Sequence, residues 1–190
     1  MNYIVLDVET NGIGTFRPPR QCPIQVSFQH ITADGRVLSS YSEFIKGVKK
    51  ITWGGSIGEC PWTTEFVNAK GVSIASCVKA LKACINKDSV IVGHNIEFDV
   101  GIILNAFHSR TVAHTPIFCT MKSTTELCSI RNSGFSSKQG GYKWPKLIEL
   151  ATKLNINLDN SNFHDSAYDV EITKQCFLAL IKRDFIPIPN

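Results

Sequence analysis

Apolar positions at the start of the chain fall on both faces of an extended segment, Tyr3 and Val5 on one side and Ile4, Leu6 and Val8 on the other. A strand that is apolar on both faces belongs in the middle of a sheet, covered above and below. Further on, Ile24, Val26 and Phe28 alternate with Gln25, Ser27 and Gln29, the period of a strand with two unlike faces. Ala33-Asp34-Gly35-Arg36 is a turn signal that leads into a third extended run from Val37 to Ile45. The pattern predicts three antiparallel strands at the start.

From Ser73 the period changes. Ile74, Cys77, Val78, Leu81 and Ile85 recur at helical spacing, with Ser73 placed as N-cap. Val90, Ile91 and Val92 form a short apolar strand that ends at Gly93-His94-Asn95, and Phe98, Ile102, Ile103 and Phe107 predict a second helix with Asp99 in its first turn. Ile117 to Met121 reads as another strand. Arg131 to Lys143, rich in Gly, Ser and Lys and without periodicity, reads as a mobile loop, and the stretch from Lys46 to Trp62, with Gly54, Gly55 and Pro61, as a long surface loop. Pro145 suits the first position of a helix carried by Leu147, Leu150, Ala151 and Leu154. A last helix is expected from near Asp165 to about Arg183 on Val170, Thr173, Phe177, Leu180 and Ile181, with Pro187 marking its end. There is no internal repeat and no interdomain linker, so residues 1–190 are expected to form a single domain. Strands first, then alternating helices and strands, predict an α/β fold: a mixed sheet flanked by helices on both faces.

Composition adjusts this picture little. A chain of 190 residues with 43% hydrophobic and 19% charged content has apolar material for one sizeable core. A net charge of +4 permits contact with phosphates without demonstrating it. Seven cysteines, odd in number and without CxxC spacing, read as reduced thiols of a reducing compartment and argue against a structural zinc site. The start lacks the pattern of a secretory signal and no 18-residue apolar run exists, which points to a cytoplasmic protein with no membrane partner.

The acidic residues change the picture more. Asp7 and Glu9, two apart on a strand, put their carboxylates on one face at the end of an apolar segment. Like charges so placed repel unless a divalent cation neutralises them, and an oxygen-rich site suits Mg2+ or Mn2+; a strand end reaching solvent is the plainer alternative. Asp99 sits where a helix dipole favours an anion, and taken alone a dipole or capping role is its plainer reading. His164 and Asp169 are five residues apart, about 140 degrees around an ideal helix, so both cannot face one point from it. His164 is therefore expected before the helix, free to swing, with Asp169 held rigidly on the second turn. Asp165 shares the helix face of Asp169 and is an N-cap, a ligand or neither, the cap being favoured for an Asp just before an apolar-periodic segment.

Three segments together carry a resemblance. Val5-Leu6-Asp7-Val8-Glu9-Thr10-Asn11-Gly12, Gly93-His94-Asn95-Ile96-Glu97-Phe98-Asp99 and His164-Asp165-Ser166-Ala167-Tyr168-Asp169 resemble, in order and spacing, the three motifs of the DEDDh (DnaQ-like) 3'-5' exonucleases. That group includes the proofreading subunit of bacterial replicative polymerases and many small DNA- and RNA-trimming nucleases. The resemblance implies an RNase H-like fold with a five-stranded sheet. It implies two divalent ions, Mg2+ or Mn2+, about 4 Å apart, one activating water and the other stabilising the leaving oxygen. Asp7, Glu9, Asp99 and Asp169 would be their ligands, and His164 the general base, a role suited to an imidazole. Backbone groups around Val8, Thr10, Asn11 and Gly12 would hold the terminal nucleotide, with Thr10 near its 3'-hydroxyl, and Asn95 and Phe98 would shape the pocket. Two positions depart from the pattern: Asn11, where many relatives carry a second Thr, and Cys119 before Thr120, where an Asp is common.

The implied activity is removal of nucleoside 5'-monophosphates from single-stranded 3' ends of DNA or RNA. A catalytically silent binding module and an RNase H-like endonuclease are the competing classes. The motifs do not choose between DNA and RNA, nor between a protein that works alone, as a homodimer or with a polymerase. In this light Lys46, Lys49, Lys50, Arg131, Lys138 and Lys143 are candidates for phosphate contacts or plain solvated lysines and arginines, and Trp53, Trp62, Phe135, Tyr142 and Trp144 for base stacking or loop anchoring.

Overall fold

β1 (Asn2–Thr10) is the middle strand of a five-stranded sheet. It pairs antiparallel with β2 (Pro23–Thr32) and parallel with β4 (Ser89–Gly93); β3 (Val37–Phe44) extends the sheet beyond β2 and β5 (Ile117–Cys119) beyond β4, in the order β3-β2-β1-β4-β5. The computed structural model describes residues 1–12, 21–53, 59–106, 112–131, 141–159 and 164–185. The turn between β2 and β3 closes where the Thr32 N–H donates to the Arg36 carbonyl at 3.0 Å, with Gly35 in the left-handed region at φ 89°. The first three strands are antiparallel as the alternation predicts.

The two faces of β1 are covered by different helices. Tyr3 and Val5, with Val90 and Val92 of β4, pack under α6 (Leu147–Leu154) and α7 (Ser166–Lys182), where Tyr3 meets the Phe177 ring edge-on at 4.8 Å. Ile4, Leu6 and Val8, with Val26, Phe28 and Ile91, pack against α2 (Ile74–Cys84) and α3 (Ile96–Ala106). Each of these side chains, fully buried, contributes about 1.5–3 kcal/mol. Asp7 and Glu9 share the parity of Tyr3 and Val5, so the strand delivers them to the α7 side. A third cluster of Ile24, Val48 and Val67, with Trp53 and Trp62 packed against it, ties the chain after β3 and α1 (Thr64–Lys70) to the sheet.

Ser73 caps α2, its hydroxyl accepting from the Ser76 N–H at 3.2 Å. α1 has no counterpart in the periodicity: Val67 is its one buried residue, so no apolar repeat marks it, and Thr63 starts it by accepting from the Phe66 N–H at 3.1 Å. β5 stops at Cys119 rather than Met121, because the Thr120 hydroxyl turns back to the Gly93 carbonyl at 3.2 Å and opens the short α4 (Thr120–Ser123), followed by α5 (Thr125–Cys128). Pro145 is not the first helical residue. α6 is capped at Lys146, whose N–H donates to Glu149 at 2.7 Å, and the Pro145 carbonyl is held outside the helix by His94 at 2.9 Å.

α7 begins one residue after Asp165 and ends one before Arg183. All seven cysteines are free thiols. No helix among the described residues is long and apolar enough to cross a membrane. Gly54, Gly55, Phe107, Phe135, Lys138 and Pro187 lie outside the described residues, as does most of the expected loop from 131 to 143; Arg131 and Tyr142, near its two ends, form an isolated antiparallel bridge.

Candidate active site

The site forms where the parallel strands β1 and β4 end. β4 pairs with β1 only from Asn2 to Val5, and beyond that point the chain leaves β4 through His94 and Asn95 into α3. Asn95 makes the reversal in the left-handed region at φ 70°, a conformation Asn tolerates. Gly93 lies so close to β1 that a Cβ there would come within 2.9 Å of the Leu6 carbonyl oxygen. The start of α3 is thereby pressed onto β1, and Asp99, 3% exposed, accepts the Val8 N–H at 2.9 Å. One carboxylate of α3 is thus seated between Asp7 and Glu9.

α7 supplies the other side. Its N-cap is Asp165, whose Oδ1 accepts from the Ala167 N–H at 2.8 Å, which settles the open choice at this residue in favour of the cap. The polar positions of β2 hold this end of the helix: Gln25 accepts the Ser166 N–H at 3.1 Å and donates to Asp165 at 3.3 Å, Ser27 and Ser166 share a hydroxyl contact of 2.6 Å, and Gln29 donates to Glu171 at 3.0 Å. Gln25 and Ser27 are buried. The period-2 pattern marks these residues as a polar face; that a helix covers this face is not visible in it.

Docking α7 this way aims Asp169, which lies in the first turn of the helix rather than the second, at β1. His164, exposed and in the left-handed region at φ 72°, precedes the helix as its spacing from Asp169 requires. The nearest donor atoms of Glu9, His164 and Asp169 lie within 4.8 Å of one another. The Trp53 ring stands edge-on to His164 at 5.8 Å, and its Nε1–H donates to the Thr10 carbonyl at 2.6 Å.

The carboxylates are electrostatically strained. Burial, and then the charges of Asp99, Asp169, Glu9 and Asp165, hold the Asp7 carboxyl well above its usual range. Burial followed by the charges of Asp169, Asp99 and Asp165 pushes Glu9 up to about 8. Burial lifts Asp169 to about 7, against a hydrogen bond from the His164 backbone, and raises Asp99 well above the usual range despite its bond from Val8. Among the described residues, the charges that shift Asp7 and Glu9 are all negative. Asp169 Oδ1 is buried with no hydrogen-bond partner among the described residues. A set of converging carboxylates with an orphaned oxygen fits hard divalent cations that take oxygen ligands.

An exonuclease family model, RNase_T, matches residues 4–177. The chain belongs to the exonuclease family. Among curated proteins, this exonuclease-family chain is 27% identical over 178 residues to the PolC-type DNA polymerase III of Latilactobacillus sakei, covering 90% of the chain. It is 23% identical over 176 residues to that of Mycoplasmopsis pulmonis, covering 93%. The chain spans 11% of the length of each of these relatives. Among solved structures, Escherichia coli exonuclease I in complex with a dT13 oligonucleotide superposes with a TM-score of 0.67 at 18% identity, over 96% of this chain and 41% of that one. Another exonuclease I structure gives a TM-score of 0.70 at 18% identity over 97% and 42%. The shared architecture is the RNase H-like exonuclease fold.

The remaining motif residues of this exonuclease-family chain divide by what they touch. The Val8 N–H is taken by Asp99. The Thr10 hydroxyl donates to the Gly12 carbonyl at 3.1 Å. Both polar atoms of Asn11 are in use, Oδ1 accepting from the Cys22 N–H at 2.9 Å and Nδ2 donating to the Lys50 carbonyl at 3.1 Å, so this departure from the motif fastens loops together. Gly12 has φ 149°, and a Cβ there would clash with the Thr52 hydroxyl. Asn95 and Phe98 are exposed. Cys119, at the N-cap of α4, makes no side-chain cap bond.

Of the basic candidates, Lys46, Lys49, Lys50 and Arg131 are exposed, whereas Lys143 is paired with Glu149 at 2.6 Å. Trp53 and Trp62 are anchors of the third cluster rather than free stacking surfaces. Trp144 and Tyr142 are exposed.

Proposed function

We propose that residues 1–190 act as one metal-dependent 3'-5' exonuclease domain of the DEDDh type that releases nucleoside 5'-monophosphates from single strands. The observation that carries this reading is the convergence of Asp7, Glu9, Asp99 and Asp169 from β1, α3 and α7, with the Asp169 Oδ1 left without a partner among the described residues. These four residues would hold two Mg2+ or Mn2+ ions. When bound, such ions offset the carboxylate charge and act as Lewis acids toward water and phosphoryl oxygens. His164, ahead of α7 and next to Glu9 and Asp169, takes the proton of the attacking water through its imidazole. Trp53 and the His164 backbone bond to Asp169 hold that ring at the site. The chain around Thr10, Asn11 and Gly12, fixed by Gln21, Cys22, Lys50 and Thr52, forms a rigid wall for the terminal nucleotide, and Asn95 and Phe98 line the opposite side.

The names of the relatives favour DNA as the first substrate to test: two are DNA polymerases and one structural neighbour holds a dT13 strand. With Mg2+ or Mn2+, single-stranded DNA and RNA of matched sequence and labelled at the 5' end are expected to shorten stepwise, DNA faster. EDTA and Asp7→Ala are each expected to abolish the ladder, and full activity in either would overturn the reading. Cleavage of a circular strand would show an endonuclease instead.

A further inference from the structure

Trp144 is 61% exposed, more than any other large hydrophobic side chain among the described residues. Its backbone is not loose. On one side the Lys143 N–H donates to the Ile130 carbonyl at 2.9 Å and the Lys143 ammonium is held by Glu149 at 2.6 Å. On the other, His94 Nε2 donates to the Pro145 carbonyl at 2.9 Å and the Lys146 N–H donates to Glu149 at 2.7 Å. An indole turned into water from a chain fastened on both sides is pre-positioned, so ordering it against a ligand costs little entropy.

The same contacts tie Trp144 to the candidate site. His94 stands at the entry to α3. Lys122 places its ammonium over one face of the indole ring, 5.8 Å from its centre, and is bonded at 2.7 Å to Glu97, two residues before Asp99 and next to Phe98, which is 39% exposed. An ionised pair rims the indole, whereas an apolar protein partner would need a contiguous apolar patch. A flat exposed ring with a cation over one face leaves the other face to a π-system that carries a phosphate, which is the chemistry of a nucleotide in a single strand.

We propose that Trp144 is a stacking subsite for a base of a single-stranded nucleic acid, upstream of the nucleotide to be released. This rests on the nuclease reading above. The tests use the full chain, an eight-residue oligothymidylate, and the p-nitrophenyl ester of thymidine 5'-monophosphate, which has one base and carries a p-nitrophenyl leaving group in place of all upstream nucleotides. In Trp144→Ala the ratio of kcat/KM on the oligonucleotide to that on the ester is expected to fall about 5- to 150-fold, the range of one base stack, through KM rather than kcat, with Trp144→Phe recovering most of it. Anisotropy titration of a labelled octamer in Ca2+ reads the same loss without turnover. Equal octamer affinity in the wild type and Trp144→Ala overturns the subsite and leaves the ring to a protein partner. A wild type that binds the octamer through Trp144 but hydrolyses neither substrate with Mg2+ or Mn2+ overturns the nuclease reading alone.

Discussion

Trp53 stands edge-on to His164 at a ring-centre distance of 5.8 Å while its Nε1–H donates to the Thr10 carbonyl at 2.6 Å. One side chain thus braces the first motif and the residue ahead of α7 together. Trp53→Ala removes both contacts and is expected to lower kcat by roughly 10- to 100-fold, the scale of a small misplacement of a reacting group. Trp53→Phe keeps an aromatic ring and loses the N–H donor. If steady-state rates place Trp53→Phe near the wild type, the ring contact with His164 matters; rates equal to those of Trp53→Ala assign the effect to the Thr10 bond.

The strained carboxylates couple stability to pH and to metal. Asp7, Glu9, Asp99 and Asp169 all titrate above their ordinary range in the folded chain, Glu9 near 8 and Asp169 near 7. The fold therefore holds protons that the unfolded chain releases at about pH 4, and the stabilisation is complete below that value. It is lost as pH rises through about 7 to 8 in the metal-free protein. Calorimetry in EDTA is expected to show Tm falling by several degrees between pH 5 and pH 9, each kcal/mol being worth about 2–4 °C in a chain of this size. Added Mn2+ is expected to raise Tm at pH 8 far more than at pH 5, since it binds the ionised carboxylates. A metal-free Tm that climbs over this range would contradict the arrangement.

Much of this site is legible in the chain because it depends on local periods. The parity of Tyr3 and Val5 assigns Asp7 and Glu9 to one face, the break at Gly93-His94-Asn95 puts Asp99 into a first helical turn, and the five-residue gap from His164 to Asp169 excludes His164 from the helix. What is not legible depends on partners far apart in sequence. Gln25 and Ser166 are 141 residues apart, and Trp53 reaches Thr10 across 43; no spacing rule brings such pairs together. α1 escaped because one buried residue, Val67, makes no period. Pro145 misleads as a helix start because a tertiary bond from His94 holds its carbonyl outside α6.

Asp99→Asn separates charge from shape. The amide oxygen can still accept the Val8 N–H, so the α3 start stays seated. The substitution removes the largest of the negative charges acting on Asp7. Metal-free Asp99→Asn is therefore expected to melt above the wild type at pH 8 and near it at pH 5. In Mg2+ it is expected to lose more than about 100-fold in kcat, beyond the 10- to 100-fold typical of groups that only orient a ligand. A variant that is both inactive and less stable at pH 8 would mean that the carboxylate serves the fold instead.

Gln25 is 4% exposed and spends both ends of its amide on the start of α7, accepting from the Ser166 N–H and donating to Asp165. Gln25→Ala leaves a buried N–H unpaired and is expected to cost about 1–3 kcal/mol of stability, together with a fall in kcat, because Asp169 and His164 depend on where this helix begins. Gln25→Glu distinguishes the two functions of the amide. Its carboxylate still accepts from Ser166 but cannot donate, and it sets a negative charge beside Asp165. The Glu variant is therefore expected to be less stable than Gln25→Ala at pH 8 and to recover relative to it as the pH falls toward 5 and the new carboxyl takes up a proton. Denaturant titration at the two pH values measures this. Identical behaviour of the two variants would show that α7 is placed by its apolar face alone, with Val170 and Phe177 sufficient to aim Asp169.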